Sequence, residues 1–489
     1  MTATPDQPRL YGRWRAERGW SVGSWSTGRA AVAAAAVITP LVAASFAPRL
    51  ALPLAVAGAV VLVARVVRVG GHSAVDVGLR RARFGLARSR GWTEFSAGVL
   101  TDHPRGHELP GVLAPLVPLD TDDGRGGRQA LVWDRREGTL AAVLRCAPAG
   151  LDLAASTVAD DWVASWGGWL ADLGHQRLVR HVAVTVASTP GGIGTAGYLA
   201  ARVHPGAPEA ARRTMAELLA QAPAAAETAT TVTVTFDPDR AVPRTDDLLS
   251  RVAEVTRWLP GLEAGLAGCG AAVLGRESVG DLTARVEAAF DPAGREQIAA
   301  EDDPGRLADW ADAAPIGTSE GWGEYRHDSG ISVSWALLEA PRQAVTSRVL
   351  VPLLAPGPFA RRVTWTYLPY PADAAAAHAE REVSAGQVRR GLAQRTRRDE
   401  SSRDRDDRER AEQAAREEAE GAGLGRFTLY VTTTVTDPEL VGAAVADVEQ
   451  RAAAARLRLR RLWGSQAAGF AATLGLGVDP VALARGVAR

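Results

Sequence analysis

Residues Ala30 to Val67 constrain this chain more than any other stretch. The first half, Ala30 to Ala47, carries no charged residue, and the second, Ala51 to Ala64, is equally uncharged and richer in Val and Leu. Only Pro48, Arg49 and Leu50 separate them. As a helix, an uncharged run of roughly 18 residues rises about 27 Å, close to the thickness of a hydrocarbon core. Two such runs across a tight turn predict a transmembrane helical hairpin over residues 29–67.

The flanks carry the matching charge. Arg9, Arg13, Arg15, Arg18 and Arg29 stand against Asp6 and Glu17 before the hairpin, interleaved with Tyr11, Trp14, Trp20 and Trp25 as interfacial anchors. After it come Arg65, Arg68, Arg80, Arg81, Arg83, Arg88 and Arg90 against Asp76 alone. The positive-inside rule then gives a two-pass protein of the cytoplasmic (inner) membrane, with both termini and the main body cytoplasmic and the turn outside. A cleaved signal peptide accounts for a basic leader and one apolar run, not for a second run directly behind it. A buried hairpin inside a soluble protein is the other reading, favoured by the alanine content and by Pro40. Few polar groups are present to line a pore, so the hairpin reads as an anchor packed by lipid or subunits. From Ala74 to Arg90, Val75, Val77, Leu79, Phe84 and Leu86 among arginines predict a basic amphipathic helix. It either lies near the membrane surface or packs on the body as a linker.

Beyond the hairpin, this chain of 489 residues keeps enough length for two or three domains with real cores. Net charge is zero, from 56 basic and 56 acidic residues, so no global field attracts nucleic acid or anionic substrates. Every basic residue is Arg. A phosphate-binding loop needs a Lys to reach the β and γ phosphates, so a standard P-loop ATPase is excluded. The two cysteines, Cys146 and Cys269, make no disulfide framework and read as buried free thiols.

The chain divides into a basic N-terminal segment (1–28), the hairpin (29–67), a juxtamembrane helix and Pro/Gly-rich linker (68–127), and α+β domains over 128–292 and 293–489. In the first domain, short strands at Gln129–Trp133 and Thr139–Arg145 flank a loop ending in Gly138. Then come a helix over Ala159–Leu173, a strand over His181–Ser188, a helix near Pro208–Ala222 and a strand over Thr230–Phe236. Helices over Thr245–Leu266 and Val279–Phe290 come next, separated by the apolar run Cys269–Leu274. In the second domain, strands at Ile331–Glu339, Arg362–Tyr370, Phe427–Thr436 and Arg456–Leu462 alternate with helices at Glu439–Ala455 and Gln466–Leu474. This spacing suggests split βαβ units, with no residue-level repeat between the halves. The stretch 389–420 is almost free of aliphatic residues, and its mixed charges read as a solvated helical or disordered arm.

Three short patterns resemble chemical motifs, and each fails on its context. Gly192-Ile-Gly-Thr-Ala-Gly197 comes after a strand, but His204-Pro205-Gly206 leaves no room for the helix a dinucleotide fingerprint opens. Gly317-Thr-Ser-Glu-Gly321 has nucleophile-elbow spacing, yet Pro315 and Gly323 spoil the strand and helix that would expose Ser319. His103 and His107 are four apart, but Pro104 and Gly106 forbid the helix that would align them as ligands. The Trp face at 162, 166 and 169 reads as core packing. No catalytic, cofactor-binding or metal-ligating residue is therefore assigned, and no cofactor is expected.

Several dispersed stretches resemble actinobacterial membrane proteins associated with conjugation-type (type IV) secretion clusters. They are Tyr11-Gly-Arg-Trp-Arg-Ala-Glu-Arg-Gly19, Arg68-Val-Gly-Gly-His-Ser73, Leu109-Pro-Gly-Val-Leu-Ala-Pro115, Val132-Trp-Asp134, the helix around Trp162, and Phe290-Asp-Pro292. Phe427 to Thr436, Asp437-Pro-Glu-Leu440 and Gln466-Ala-Ala-Gly-Phe470 are similar to the segment that lies just upstream of the motor domain in conjugation ATPases. The motor itself is lacking. Val132-Trp-Asp134 and the Trp-bearing helix are also similar to the EccE-like peripheral component of type VII secretion. The resemblance implies a non-catalytic, membrane-anchored scaffold subunit of a secretion or DNA-transfer complex. Its expected partners are a separate ATPase, other membrane subunits and the lipid bilayer, and no direct nucleic-acid binding is expected. A membrane-tethered enzyme using a Gly-rich or Ser loop is the alternative of another class.

Overall fold

The computed structural model describes residues 9–12, 14, 21–22, 25–46, 48–66, 68–69, 72–97, 109–151, 154–190, 203–204, 206–221, 226–242, 244, 247–300, 309–371, 374–378, 380–381, 383–384, 387, 402–419 and 421–481. Two helices, α1 (Thr27–Phe46) and α2 (Pro48–Val66), pack side by side. They approach so closely that a Cβ on Gly58 would stand 2.5 Å from the carbonyl oxygen of Ala36.

The hairpin is helical, but the transmembrane assignment is corrected: among the described residues no helix is long and apolar enough to cross a membrane. The cause is where the charges fall within the helices. Arg29 lies in the first turn of α1, Arg49 is second in α2 after the opening Pro48, and Arg65 lies in its last turn. Uncharged helix then spans only about 25 Å in α1 and about 22 Å in α2, short of the roughly 30 Å of a hydrocarbon core. Pro40 and Pro53 also lie inside the helices. Much of the run is alanine, whose methyl buries little apolar area. The two-pass topology inferred from the same stretch falls with it.

Helix α3 (Ala74–Ser89) packs on α2 and reaches the body. Phe84 meets Trp322 edge-on at 5.4 Å, Arg81 lies 5.4 Å over the same ring, and Trp322 stacks against Trp463 at 6.4 Å. The basic amphipathic helix is thus a strut between hairpin and body.

The body is built on one thirteen-stranded antiparallel sheet. Its strands are β1 (Glu94–Ser96), β2 (Leu116–Asp122), β3 (Arg128–Asp134), β4 (Leu140–Pro148), β5 (Val179–Thr189), β6 (Glu227–Phe236) and β7 (Ala271–Arg276). The remainder are β8 (Gly317–Glu320), β9 (Tyr325–His327), β10 (Gly330–Glu339), β11 (Ala360–Pro369), β12 (Gly425–Val435) and β13 (Arg458–Arg461). In space they run β1-β8-β9-β10-β12-β11-β5-β6-β4-β3-β2, with β7 added to β4 and β13 to β10. Strand β2 lies in the stretch expected to be linker.

Among the described residues, the helices of the body include α4 (Ser156–Leu173), α5 (Glu209–Gln221), α6 (Leu248–Gly268), α7 (Val279–Phe290), α8 (Arg295–Ala300), α9 (Val351–Leu354), α10 (Ser402–Ala419), α11 (Val441–Ala454) and α12 (Gln466–Ala472). Two units of the same topology emerge. The first is β4-α4-β5-β6-α6-β7 and the second β10-α9-β11-β12-α11-β13, each with its strands in the spatial order fourth, first, third, second. A hairpin precedes each unit (β2–β3, β8–β9) and a helix succeeds each (α7, α12). A pseudo-two-fold axis runs between β5 and β11, which pair from Arg361–Ser188 to Tyr367–Val182. Thr185 and Thr364 meet there, their hydroxyls 2.8 Å apart. The expected boundary at 292/293 falls between units that share one sheet. In the charged arm, α10 occupies 402–419 and buries Ala411, while residues 389–401 lie outside the described residues.

Alternation along the strands gives the sheet two unlike faces. Val182, Val232, Val234, Phe236 and Tyr367 point to one side, where Trp169 and Leu173 of α4 and Val255, Leu259, Leu262 and Leu266 of α6 cover them. On the same side, Val333, Trp335, Val363, Leu429 and Val431 are covered by Leu353 and by Val448 of α11. Spacings of three and four in α6 bring its apolar residues onto one face, and Asp247 caps its start by accepting from the Ser250 amide. Ser278 and Asp281 form a capping box at α7.

Because the units share a ladder, the body should unfold in one calorimetric transition, with van't Hoff and calorimetric enthalpies equal. Leu259→Ala, at a fully buried position, should lower stability by about 2–5 kcal/mol without splitting that transition. Two resolved transitions would contradict the shared core.

Candidate functional site

None of the three motif-like patterns forms a site among the described residues. Ser319 lies exposed in β8, laddered with Arg326 and Glu94, so no strained turn lifts its hydroxyl. Gly192–Gly197 and His103 with His107 lie outside the described residues. No group of three His, Cys, Asp or Glu among those described could hold a metal ion. Trp169 is buried and donates from Nε1 to the Leu262 carbonyl at 3.3 Å, and Trp166 stacks on it at 5.0 Å. Gly270, at φ 73°, leaves room for Trp162. Cys146 is buried and Cys269 half-buried, both free.

The unusual surface is the second face of the sheet. It is lined by Thr185 of β5, Thr231, Thr233 and Thr235 of β6, Thr364 and Thr366 of β11, Thr432 and Thr434 of β12, and Ser332 and Ser334 of β10, all buried. Buried hydroxyls must find partners, and here they bond one another across strands. Ser332 pairs with Thr434 and Ser334 with Thr432, each at 2.8 Å.

The chain's own segment 466–479 covers this face. Gln466 Oε1 accepts from the Ser334 amide at 2.7 Å, the Thr473 hydroxyl donates to Thr432 at 2.9 Å, and Thr233 donates to the Gly475 carbonyl at 2.8 Å. Gly475 and Gly477 have φ of 66° and 80°. A Cβ on Gly477 would stand 2.7 Å from Ala141 Cβ and 2.8 Å from Thr235 Oγ1, so backbone lies directly on hydroxyl.

Two histidines sit in this layer. A cavity of about 20 Å³, room for one water molecule, is lined by His181, Thr235, Asp479 and the Arg180–Glu137 ion pair. His181 Nε2 lies 3.2 Å from the Thr235 hydroxyl, while His181 Nδ1 and Asp479 Oδ2 are buried without a bonded partner. The cavity gives one water molecule room beside these two polar atoms. His327 is fully engaged. The Phe290 carbonyl, 2.6 Å away, can only accept, so Nδ1 carries the proton and Nε2 accepts from Ser332 at 2.8 Å. Burial drives both histidines down to about 4, with the field of Arg180 reinforcing it at His181 and that of Arg362 at His327, partly offset by Asp479 and by the Phe290 carbonyl respectively.

The hydroxyl face escaped sequence reading because alternation of Thr with Val looks the same whether the polar side meets water or protein. The glycines at 475 and 477 were the available signal. No protein-family model matches this chain, and comparison with curated proteins finds no related sequence.

Both histidines are neutral when folded and ordinary when unfolded, so between pH 6.5 and 4 the unfolded chain binds more protons. Stability should be level in this respect above pH 6.5 and fall as pH drops, by at most about 3 kcal/mol per histidine near pH 4. Urea midpoints from pH 7.5 to 4.5 check this, and His181→Gln should reduce the slope. A midpoint independent of pH over that range would contradict it.

Proposed function

We propose that this chain is a non-catalytic scaffold subunit of a type IV-like secretion or conjugative DNA-transfer assembly. It is joined to its partners through the α1/α2 hairpin and works beside a separate ATPase. The observation that carries the reading is the apolar exposure of the hairpin. Val37, Ile38, Leu41 and Phe46 of α1 are 56%, 56%, 72% and 86% exposed, and Leu52, Val56 and Val60 of α2 are 74%, 57% and 62% exposed. Among the described side chains, the seam around Ala36 and Gly58 is closed within the chain. A helix pair apolar all round belongs in apolar surroundings. Its uncharged stretches are too short for a bilayer, so the occupant is a set of apolar helices from another subunit. The strut α3, clamped by Trp322, passes load from the hairpin to the body. The dispersed stretches from Tyr11 to Phe470 that resemble secretion-cluster proteins supply the class of machine. On this reading the body is held at the cytoplasmic side of a membrane by its partners, not by spans of its own.

Mild extraction of the full chain from its native cells, then size separation and mass spectrometry, tests this. The wild type should run in a high-mass assembly containing an ATPase with a Lys-bearing phosphate loop. Leu41→Asp with Phe46→Asp should run at its own mass, the melting of its body unchanged. A wild type that repeatedly elutes alone, or a double variant that assembles as well as wild type, would sink the reading.

A further inference from the structure

We propose that the hydroxyl-lined face carries a binding site for a small oxyanion of the phosphate type, centred on Arg362. This residue stands in β11 between Ala187 and Thr432, in the middle of the sheet. Its guanidinium lies 4.7 Å over the Phe470 ring, and Nε reaches Thr473 Oγ1 only at 3.5 Å. Nη2 is sealed from solvent with no acceptor. No described carboxylate bonds this side chain.

The contrast with its neighbour is sharp. Arg361, on the opposite face, donates to the carbonyls of Leu353 and Ala355 and pairs with Asp447 at 3.1 Å. Arg362 instead has cations for company. Arg285 of α7 and Arg295 of α8 are both near enough to disfavour its charge. Each of those already holds an acid, Glu277 at 2.7 Å for Arg285 and Glu227 at 3.0 Å for Arg295. Arg285 also donates to the Leu474 carbonyl and Arg295 to the Thr189 hydroxyl.

Among the described residues these three guanidiniums bond two carboxylates, and Arg362 is left without a bonded counter-ion in a largely buried layer. An uncompensated buried charge costs several kcal/mol. Arginine does not escape by losing its proton: burial first, then the two neighbouring cations, lower its pKa to about 9, still above neutral pH. An anion resolves the imbalance. The planar guanidinium offers paired donors matched to an oxyanion. Thr189, which accepts from Arg295, retains its own hydroxyl proton to donate. Arg362 as a whole residue is half-buried.

The test uses the full chain in phosphate-free buffer, with its melting temperature tracked against added inorganic phosphate at constant ionic strength. Wild type should rise with phosphate and saturate by mass action, whereas chloride at equal ionic strength should not reproduce the rise. Arg362→Met should lose the phosphate-dependent increment while melting, without phosphate, at or above wild type, because the lone charge is gone. Arg342→Met, which removes only an exposed pair with Glu339, should keep the increment. If Arg362→Met does not fold, calorimetric titration of wild type with phosphate decides by its saturation. A parallel titration with adenosine monophosphate separates sources: a response to both ligands supports the site and names a phosphomonoester, and a response to phosphate alone supports it and names the free anion. No phosphate-specific rise in wild type, or a rise that survives Arg362→Met, would overturn the proposal.

Discussion

The pairing of β5 with β11 is the interaction on which the rest of the molecule depends. It joins two units of identical strand order through seven residue pairs, from Arg361–Ser188 to Tyr367–Val182. Its register also decides what lies on each side. With Thr185 opposite Thr364, the valines and aromatics of both units fall on one face and the hydroxyls on the other. A slip of one residue would set hydroxyl against valine and expose both cores at once. Register is therefore held by the whole hydrophobic complement of the sheet, far more than by the single Thr–Thr bond.

The two faces are closed by different physics. Apolar burial against α4, α6 and α11 closes one, a non-directional force that tolerates some repacking. Directional bonds between hydroxyls and the segment 466–479 close the other, where an unmade bond costs more than a made one contributes. Glycines at 475 and 477 let the backbone approach that closely. Both faces are covered from within the chain, and the α1/α2 hairpin, which the strut α3 holds to the body, keeps a run of large apolar side chains exposed.

Much of this was legible where side chains report on their own backbone. The runs around His181–Ser188, Thr230–Phe236 and Phe427–Thr436 alternate β-branched residues, and they form β5, β6 and β12 with shifts of a few residues at their ends. Val279–Phe290 forms α7 at those bounds because its capping box is local. The pairing of Thr185 with Thr364 was not legible, since 179 residues separate them and no local signal selects one edge strand for another. The internal two-fold was hidden for a related reason: topology repeats, while residue identities do not. For the hairpin, helix formation can be read, but not apolar reach: the uncharged run between Arg49 and Arg65 is shorter than the one after Arg29, and Pro40 and Pro53 lie inside the helices. Arg362 looks like any second arginine in Arg361-Arg362 until the strand sends the pair to opposite faces.

In the scaffold role proposed above, the α1/α2 hairpin is the surface that partner subunits cover, while the two faces of the sheet are closed by the chain itself. Hydrogen exchange by mass spectrometry, comparing the isolated chain with the assembled one, measures this directly. The account predicts that assembly slows exchange chiefly in residues 27–66, with the seam at 182–188 and 361–367 already protected in the isolated chain. Added protection confined to the body, with the hairpin unchanged, would contradict it.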